Sequence, residues 1–321
     1  MSSQPLVSMI TYCYNGERFI SKYFEAILAQ TYSNIELIFF NNGSTDDTGN
    51  IAESYRELLE EKGIEVHIIH YKANQSTCLL KQKAFHMMKG EYFFGCDSDD
   101  FIDSNYIEEM VGYLLEHPDK GIVYCQLRMI QEKTGELLGI MKMQPRLNSK
   151  EAFLDILKGE NINFTAISYM MSRKHFERVN PDKNIYISIY GENYQVQMPF
   201  LYYDLQGYIE KPLGQYTVRS DSYTGTLTIL KKIQALKGQE KSVLATLEQI
   251  GMDDIEKYRD FFLKRIRKER FYSSLHYCDK KLAKECFIEY KELRKLSLKD
   301  YLSWILYKIG LFQRVKAFLK K

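Results

Sequence analysis

No pair of cysteines in this chain has the C-x-x-C spacing of a metal clip or a redox motif. The six cysteines (Cys13, Cys78, Cys96, Cys125, Cys278, Cys286) are scattered, most of them inside apolar runs. They read as small buried hydrophobes of a reducing compartment. No apolar run reaches the roughly 18 residues that a spanning helix needs, which argues against a membrane span. The N-terminus lacks a charged segment followed by a long apolar one, so no signal peptide is expected. The Asn-x-Ser/Thr triplets at Asn42, Asn74 and Asn163 then carry no glycosylation message. An excess of charge of one sign is also missing. The formal net charge is only +2, so nothing global points to nucleic acid. Tryptophan occurs once, against 25 tyrosines. No internal repeat or low-complexity segment is evident. The 321 residues, 45% of them apolar, suffice for one large domain and a smaller one.

One stretch organises the rest. Tyr92 to Cys96 is a short apolar run that reads as a buried strand, and Asp97, Asp99 and Asp100 follow at once. Like charges crowded at a strand end repel unless a cation sits there. Hard divalent ions such as Mg²⁺ and Mn²⁺ take oxygen ligands and keep positions open for phosphates. A metal-diphosphate site is one reading. A solvated acidic turn, with Asp103 capping the next helix, is the other.

The chain before this stretch alternates strand and helix. Leu6 to Tyr12 is an apolar run closed by Asn15-Gly16. Phe19, Ile20, Tyr23, Phe24, Ile27 and Leu28 share a helical stripe. Ile35 to Phe40 is a second strand, broken by Asn41-Asn42-Gly43-Ser44, and Ser44 with Asp47 resembles a capping box. Ile64 to Tyr71 is a third strand. Cys78 to Lys89 is helical, with Gly90 placed as a C-cap glycine. Such β-α units imply a parallel sheet, whose ligands bind beyond the carboxyl ends of the strands. Here those ends carry Thr11 to Asn15, Asn41 to Ser44, and Asp97 to Asp100.

After residue 117 the pattern changes. Gly121 to Gln131 and Leu137 to Met143 flank a hairpin turn. Ser149 to Lys158 is a short helix and Thr165 to Ser172 a strand. Gly191-Glu192 opens a helix that is interrupted or kinked near Pro199. Tyr208 to Arg219 holds short strands, and Ser220 to Thr226 reads as a flexible segment. The domain boundary is placed there, giving a domain over 1–225 and a helical, basic region over 226–321. That region includes a basic run, Lys264, Arg265, Arg267, Lys268 and Arg270. Leu298, Tyr301, Leu302, Ile305, Ile309, Phe312 and Leu319 share a face near the end of the chain. From residue 291 onward Lys and Arg far outnumber Glu292 and Asp300. A basic amphipathic helix over 297–321 can lie on an anionic membrane, pack on the main domain, or pair with a second copy.

A family likeness now emerges from an ordered set of segments. These are Pro5 to Ile10, Tyr14-Asn15, Gln30 to Ile38, Asn42 to Asp46, Lys89 to Tyr92, and Asp97 to Asp100, then more sparsely Gly191-Glu192 and Tyr216 to Arg219. The set resembles the family 2 glycosyltransferases. The resemblance implies a GT-A fold: α/β, with a Rossmann-type, mostly parallel sheet flanked by helices, and here a C-terminal helical extension. It implies an inverting transfer of a hexosyl or hexosaminyl group from a nucleotide donor, usually UDP-linked, to a glycan or lipid-linked glycan in cell-surface polysaccharide synthesis. The expected place is the cytoplasm, at the inner face of the plasma membrane, and a homo-oligomer is a candidate state. By resemblance Thr11 and Tyr14 flank the base, and Asn41 stands where an Asp accepts a bond from the uracil ring. Asn42 also replaces an Asp. An amide oxygen still accepts that bond, without charge assistance. Lys81 takes the place of a common Arg near the phosphates. Asp97 lies near the ribose or a metal water, and Asp99 binds Mn²⁺ or Mg²⁺. Asp100 and Arg219 are candidate diphosphate or acceptor contacts. Glu192 matches the first acid of a Glu-Asp motif and is the candidate base, while Asn193 replaces the second acid. Tyr223 lies near the place of a metal-binding His.

Other residues fare less well. His67 and His70 lie three apart in a predicted strand, on opposite faces, so they cannot share a metal. Gln195 and Gln197 read as acceptor or supporting groups. Two further function classes remain: a catalytically idle nucleotide-sugar-binding or scaffold protein, and a sugar nucleotidyltransferase. The second usually carries an N-terminal Gly-rich phosphate loop, which is missing here.

Overall fold

The computed structural model describes residues 4–146, 148–188, 190–203, 206–219, 228–277, 279–293 and 296–314. Their strands are β1 (Val7–Cys13), β2 (Ile35–Asn41), β3 (Glu65–His70), β4 (Tyr92–Gly95), β5 (Phe101–Ile102), β6 (Ile122–Gln131), β7 (Leu137–Met141), β8 (Tyr169–Ser172) and β9 (Gln206–Val218). They form one sheet in the order β3-β2-β1-β4-β8-β6-β9-β5, with β7 beside β6. The first four are parallel. Helices Glu17–Leu28, Thr48–Ser54, Arg56–Glu61 and Thr77–Met87 fill the crossovers that parallel neighbours require. β2 is buried along its whole length, which is why it reads as a continuous apolar run rather than an alternating one. Beyond β4 the sheet is mixed: β8 is antiparallel to both β4 and β6, β9 parallel to β6, and β5 antiparallel to β9.

Two compact units divide the chain. The first is Met1–Ile187 with Gln195–Ser220, and the second Ser188–Tyr194 with Asp221–Lys321. The first unit's core packs Tyr23, Phe24 and Phe39 from the first helix and β2 against Phe94 and Tyr106. Each such fully buried side chain contributes about 1.5–3 kcal/mol.

Several local expectations are corrected. Gly90 is not a left-handed helix cap, since the helix ends at Met87. Its glycine is required by a close approach: a Cβ there would lie 2.5 Å from the Ser8 amide nitrogen. Ser44 and Asp47 form no capping box, and the Ser44 hydroxyl instead accepts from the Asn15 N–H at 3.0 Å. Asp103 does not cap helix Tyr106–Glu116 with its side chain, which is drawn away by a salt bridge to Arg128. Tyr208 to Val218 belongs to one long strand, β9, with a register shift against β6. The helix Glu192–Tyr202 continues through Pro199. Ser220 to Thr226 lies outside the described residues.

The second unit is helical: Ile229–Ile250, Ile255–Ser274, Lys280–Lys291 and Leu298–Lys308. Thr228 caps the first, accepting from the Lys231 N–H, and Gly251 ends it in the left-handed conformation. A capping box of Ser297 and Asp300 starts the last. The basic run is split by packing. Arg270 is only 3% exposed and bridges Glu240 at 2.7 Å and Glu289 at 2.6 Å. Arg267 also bridges Glu240, so these two cations are internal neutralisers rather than a solvated face.

Candidate active site

The carboxyl ends of β1, β2 and β4 lie side by side, with Cys13 opposite Asn41 and Ile10 opposite Gly95. The polar loops that follow are latched together. The Thr45 N–H donates to Asn15 Oδ1 at 2.8 Å, and the Gly16 N–H donates to Thr48 Oγ1 at 2.8 Å. Asn15 adopts φ 51°, a left-handed conformation that Asn tolerates. Gly16 brings the first loop against the acidic loop: a Cβ there would come within 3.3 Å of Ser98 Oγ.

In the acidic loop the Asp100 N–H donates to the Asp97 carbonyl at 3.0 Å, a turn that turns three carboxylates about one another. Asp97 is exposed, and Asp100 is only 2% exposed. Burial pushes the Asp100 carboxyl well above its ordinary value, and the charges of Asp97 and Asp99 push it further. The Thr217 N–H, donating to Asp100 Oδ1 at 3.0 Å, and Arg219 oppose this only in part. Asp99 bridges Arg219, Nη2 to Oδ2, at 2.8 Å. The guanidinium carbon of Arg219 sits 5.2 Å from the centre of the Phe19 ring. Carboxylates near enough to repel one another, with a protein cation beside them, suit a hard divalent ion. Asp97 and Asp99 are the residues that could hold one.

The base-side candidates separate. Tyr14 is 52% exposed at the edge, whereas Thr11 is fully buried and its hydroxyl is bonded to Tyr23. Thr11 is thus turned into the core beneath the edge. Asn41 is nearly buried, and its Oδ1 accepts from the Ser44 N–H at 3.3 Å. Its Nδ2 pairs with His70 Nδ1 at 3.0 Å, and His70 Nε2 lies 2.9 Å from Glu53 Oε1. Because Glu53 can only accept, Nε2 carries the hydrogen and Nδ1 accepts from the amide. This chain, extended by Arg56 on Glu53 at 2.8 Å, was missed in the sequence because its members come from four elements. Asn42 pairs both ways with the Gln75 backbone: Oδ1 accepts from its N–H at 2.7 Å and Nδ2 donates to its carbonyl at 3.1 Å. Lys81 lies half-buried in helix Thr77–Met87.

Glu192 starts helix Glu192–Tyr202, and its first residues belong to the second unit. Gly191, at φ 91°, packs there against helix Ile229–Ile250, where a Cβ would lie 3.1 Å from the Gln239 Cα. Gln195 and Gln197 have the contacts of supporting groups, the second of the two expected roles. Gln195 clamps the Tyr186 backbone at 2.6 and 2.9 Å, and Gln197 accepts from Tyr124 OH at 2.9 Å and donates to the Asn163 carbonyl. Tyr223 lies outside the described residues. The cysteines that are described, Cys13, Cys78, Cys96, Cys125 and Cys286, are free and buried, and burial pushes the Cys13 thiol up to about 11. Cys278 lies outside them.

The acidic loop does not bring three ligand atoms within 4.8 Å of one another; among the described residues the group that does is Glu36, Glu65 and His67. It sits at the amino ends of β2 and β3, the opposite edge from Asp99. Its charges are partly engaged, Glu36 Oε2 by Ser8 and the Lys89 N–H, and Glu65 by Lys89 Nζ and His67, while Glu36 Oε1 is buried with no hydrogen-bond partner among the described residues. A hollow of about 250 Å³ lined by Tyr124, Arg146 and Tyr208 lies toward the amino end of β9, away from the acidic edge.

The sequence model of glycosyl transferase family 2 matches residues 8–179. An uncharacterized glycosyltransferase of Rickettsia typhi is 37% identical over 134 residues, 41% of this chain and 40% of that protein. Glycosyltransferase GlyA of Streptococcus pneumoniae is 24% identical over 69% of this chain and 32% of that protein. The matches thus span well under half of these relatives' lengths. Among solved structures, S. aureus TarS 1-349 in complex with UDP-GlcNAc superposes with a TM-score of 0.67 at 13% identity, over 90% of this chain and 80% of that one. The mannosyltransferase PcManGT of Pyrobaculum calidifontis, in complex with GDP-Man and Mn²⁺, gives 0.52 at 13% identity, over 100% and 89%. The fold is the GT-A type: a mixed, mostly parallel sheet flanked by helices, with a helical C-terminal region.

Proposed function

Because this chain belongs to glycosyl transferase family 2, we propose that it moves a hexosyl or hexosaminyl group from a UDP-linked donor to a hydroxyl of a glycan or lipid-linked glycan, with inversion. The setting is cell-surface polysaccharide synthesis at the inner face of a membrane. The observation that carries this reading is the acidic loop: Asp97, Asp99 and Asp100 crowd at the sheet edge beside Arg219, next to two latched polar loops. The UDP-GlcNAc and UDP bound to the TarS structures support a nucleotide-sugar donor.

The chemistry asks for these parts. Cleavage of the anomeric C–O bond leaves negative charge on the diphosphate. A divalent ion held by Asp99 and Asp97 would supply Lewis-acid neutralisation of that charge. Arg219 can turn its donors from Asp99 to a phosphate oxygen, and Lys81 adds a second positive charge. Tyr14 offers an exposed ring to the base, and Asn41 an amide whose orientation His70 holds. The acceptor hydroxyl must lose its proton as it attacks the opposite face of the sugar. Glu192 is assigned that role as general base.

The idle-protein reading draws on the Asn substitutions, and Asn42 weakens it. An Asp at 42 could not donate to the Gln75 carbonyl, so the amide serves the loop and its presence says nothing of lost chemistry. The test is a screen of purified protein with Mn²⁺ against UDP- and GDP-sugars, reading nucleotide release. Release of UDP from one donor supports the reading. UDP binding with no hydrolysis or transfer favours the idle protein, and pyrophosphate release from UTP plus a sugar phosphate would mark a nucleotidyltransferase.

A further inference from the structure

Helix Leu298–Lys308 has two apolar stripes, and only one of them is packed. The inner stripe carries Trp304, stacked on Phe287 with ring centres 4.5 Å apart, and the buried Ser303 and Asp300. The outer stripe carries Leu298, Leu302, Ile305 and Ile309, which are 82%, 55%, 53% and 60% exposed. Their spacing of four, three and four residues puts them in one line along the helix. Single exposed aliphatics are ordinary on a protein surface, but a continuous line of them marks an interaction face.

The charges around the line select the partner. The helix contains one acid, Asp300, and it is 1% exposed, with its oxygens taken by Tyr272, Tyr290 and Ser297. What the helix shows outward beside the aliphatics is Lys299, Lys308 and the Tyr301 ring, all exposed. The sequence continues with Arg314, Lys316, Lys320 and Lys321 and no acid. Two copies joined along this line would bring lysines together without the acidic partners that set helix pairing. Cations flanking an apolar line match an anionic lipid surface instead. Among the described residues no helix is long and apolar enough to cross a membrane, so the contact is interfacial.

We propose that this helix lies flat on anionic lipid, with Leu298, Leu302, Ile305 and Ile309 in the acyl boundary and Lys299 and Lys308 on the headgroups. The proposal deepens the membrane location in the functional reading above and does not rest on the sugar chemistry. The test is co-sedimentation of the full chain with phosphatidylglycerol-containing vesicles and with pure phosphatidylcholine vesicles. The expected result is binding to the anionic vesicles only, weakened by salt at about 0.5 M. The double variant L302E/I305E should lose about tenfold or more of that binding while its thermal melt and donor hydrolysis stay as in the wild type. The variant K299Q/K308Q, which leaves the apolar line intact, should lose severalfold. A wild-type protein that stays in solution, equal binding to neutral vesicles, or unchanged binding of L302E/I305E would overturn the proposal. So would a lipid-free dimer, seen by analytical ultracentrifugation, that L302E/I305E dissociates. Vesicle binding is read without a sugar donor, so failure of the transfer assay and failure of this one are separate results.

Discussion

Arg219 Nη2 lies 2.8 Å from Asp99 Oδ2, joining the end of β9 to the loop after β4. These residues are far apart in sequence, and the bridge ties the acidic loop to the end of β9. Both side chains are about one-fifth exposed, so the pair is reachable from solvent and can exchange partners. An arginine that compensates a carboxylate before a ligand arrives lowers the cost of keeping that carboxylate charged.

Asp99→Asn should therefore weaken Mn²⁺-dependent UDP binding by about tenfold or more, because an amide oxygen is a poorer ligand for a hard cation. UDP binding measured with chelator present should change little. Isothermal titration with and without Mn²⁺ reads both, and an intact metal-dependent enthalpy in the variant would remove Asp99 from the role.

Glu192→Gln keeps the shape of the side chain and removes its basicity. Turnover should fall by roughly 10²–10⁴ while donor affinity stays within about twofold. Turnover at the wild-type level would rule Glu192 out as the base.

Asn42→Asp restores the acid common in the family and should nonetheless destabilise this chain. The Gln75 carbonyl would lose its donor at 3.1 Å and face a carboxylate oxygen instead. A loss of about 1–3 kcal/mol is expected in chemical denaturation. An unchanged midpoint would mean that the loop pairs in another way.

Asp300→Ala removes the acceptor shared by Tyr272 OH at 2.7 Å and Tyr290 OH at 3.1 Å, and should cost about 2–3 kcal/mol. Burial pushes the Asp300 carboxyl up, but the donors from Ser297, Tyr272 and Tyr290 hold it below its ordinary value of 3.8. A depressed native value means that its stabilisation is present above the unfolded value and is lost as pH falls through the native one. The gap between wild-type and variant melting temperatures should be full at pH 7 and narrow below about pH 4. A gap independent of pH would show that packing, not the charge, is what the substitution removes.

The sheet's buried half was legible because both of its faces are covered. Ile35 to Phe40 needs no partner to be read as a strand, since apolar runs of that length have few alternatives. The polar segments after such strands fall at one edge by the geometry of parallel crossovers, so the meeting of Asn15, Ser44 and Ser98 was foreseeable. Short elements were not: β5 has two residues and exists only because β9 lies beside it. Capping patterns misled at Ser44 and Asp103, since each side chain found a stronger partner on a distant loop or strand.

The sequence alone determined the order of strands and helices, the edge at which polar loops gather, and the acidic loop with its three carboxylates. These follow from periodicity and local charge, which act over a few residues. Only the tertiary structure decided that Asp100 meets Thr217 and Asp99 meets Arg219, that Asn41 is oriented by His70, and that Arg270 is buried between acids. It also decided which stripe of helix Leu298–Lys308 is packed and which faces out. The reason is physical: a side chain takes the best partner that the folded chain brings within reach, and neighbours in space are not neighbours in sequence.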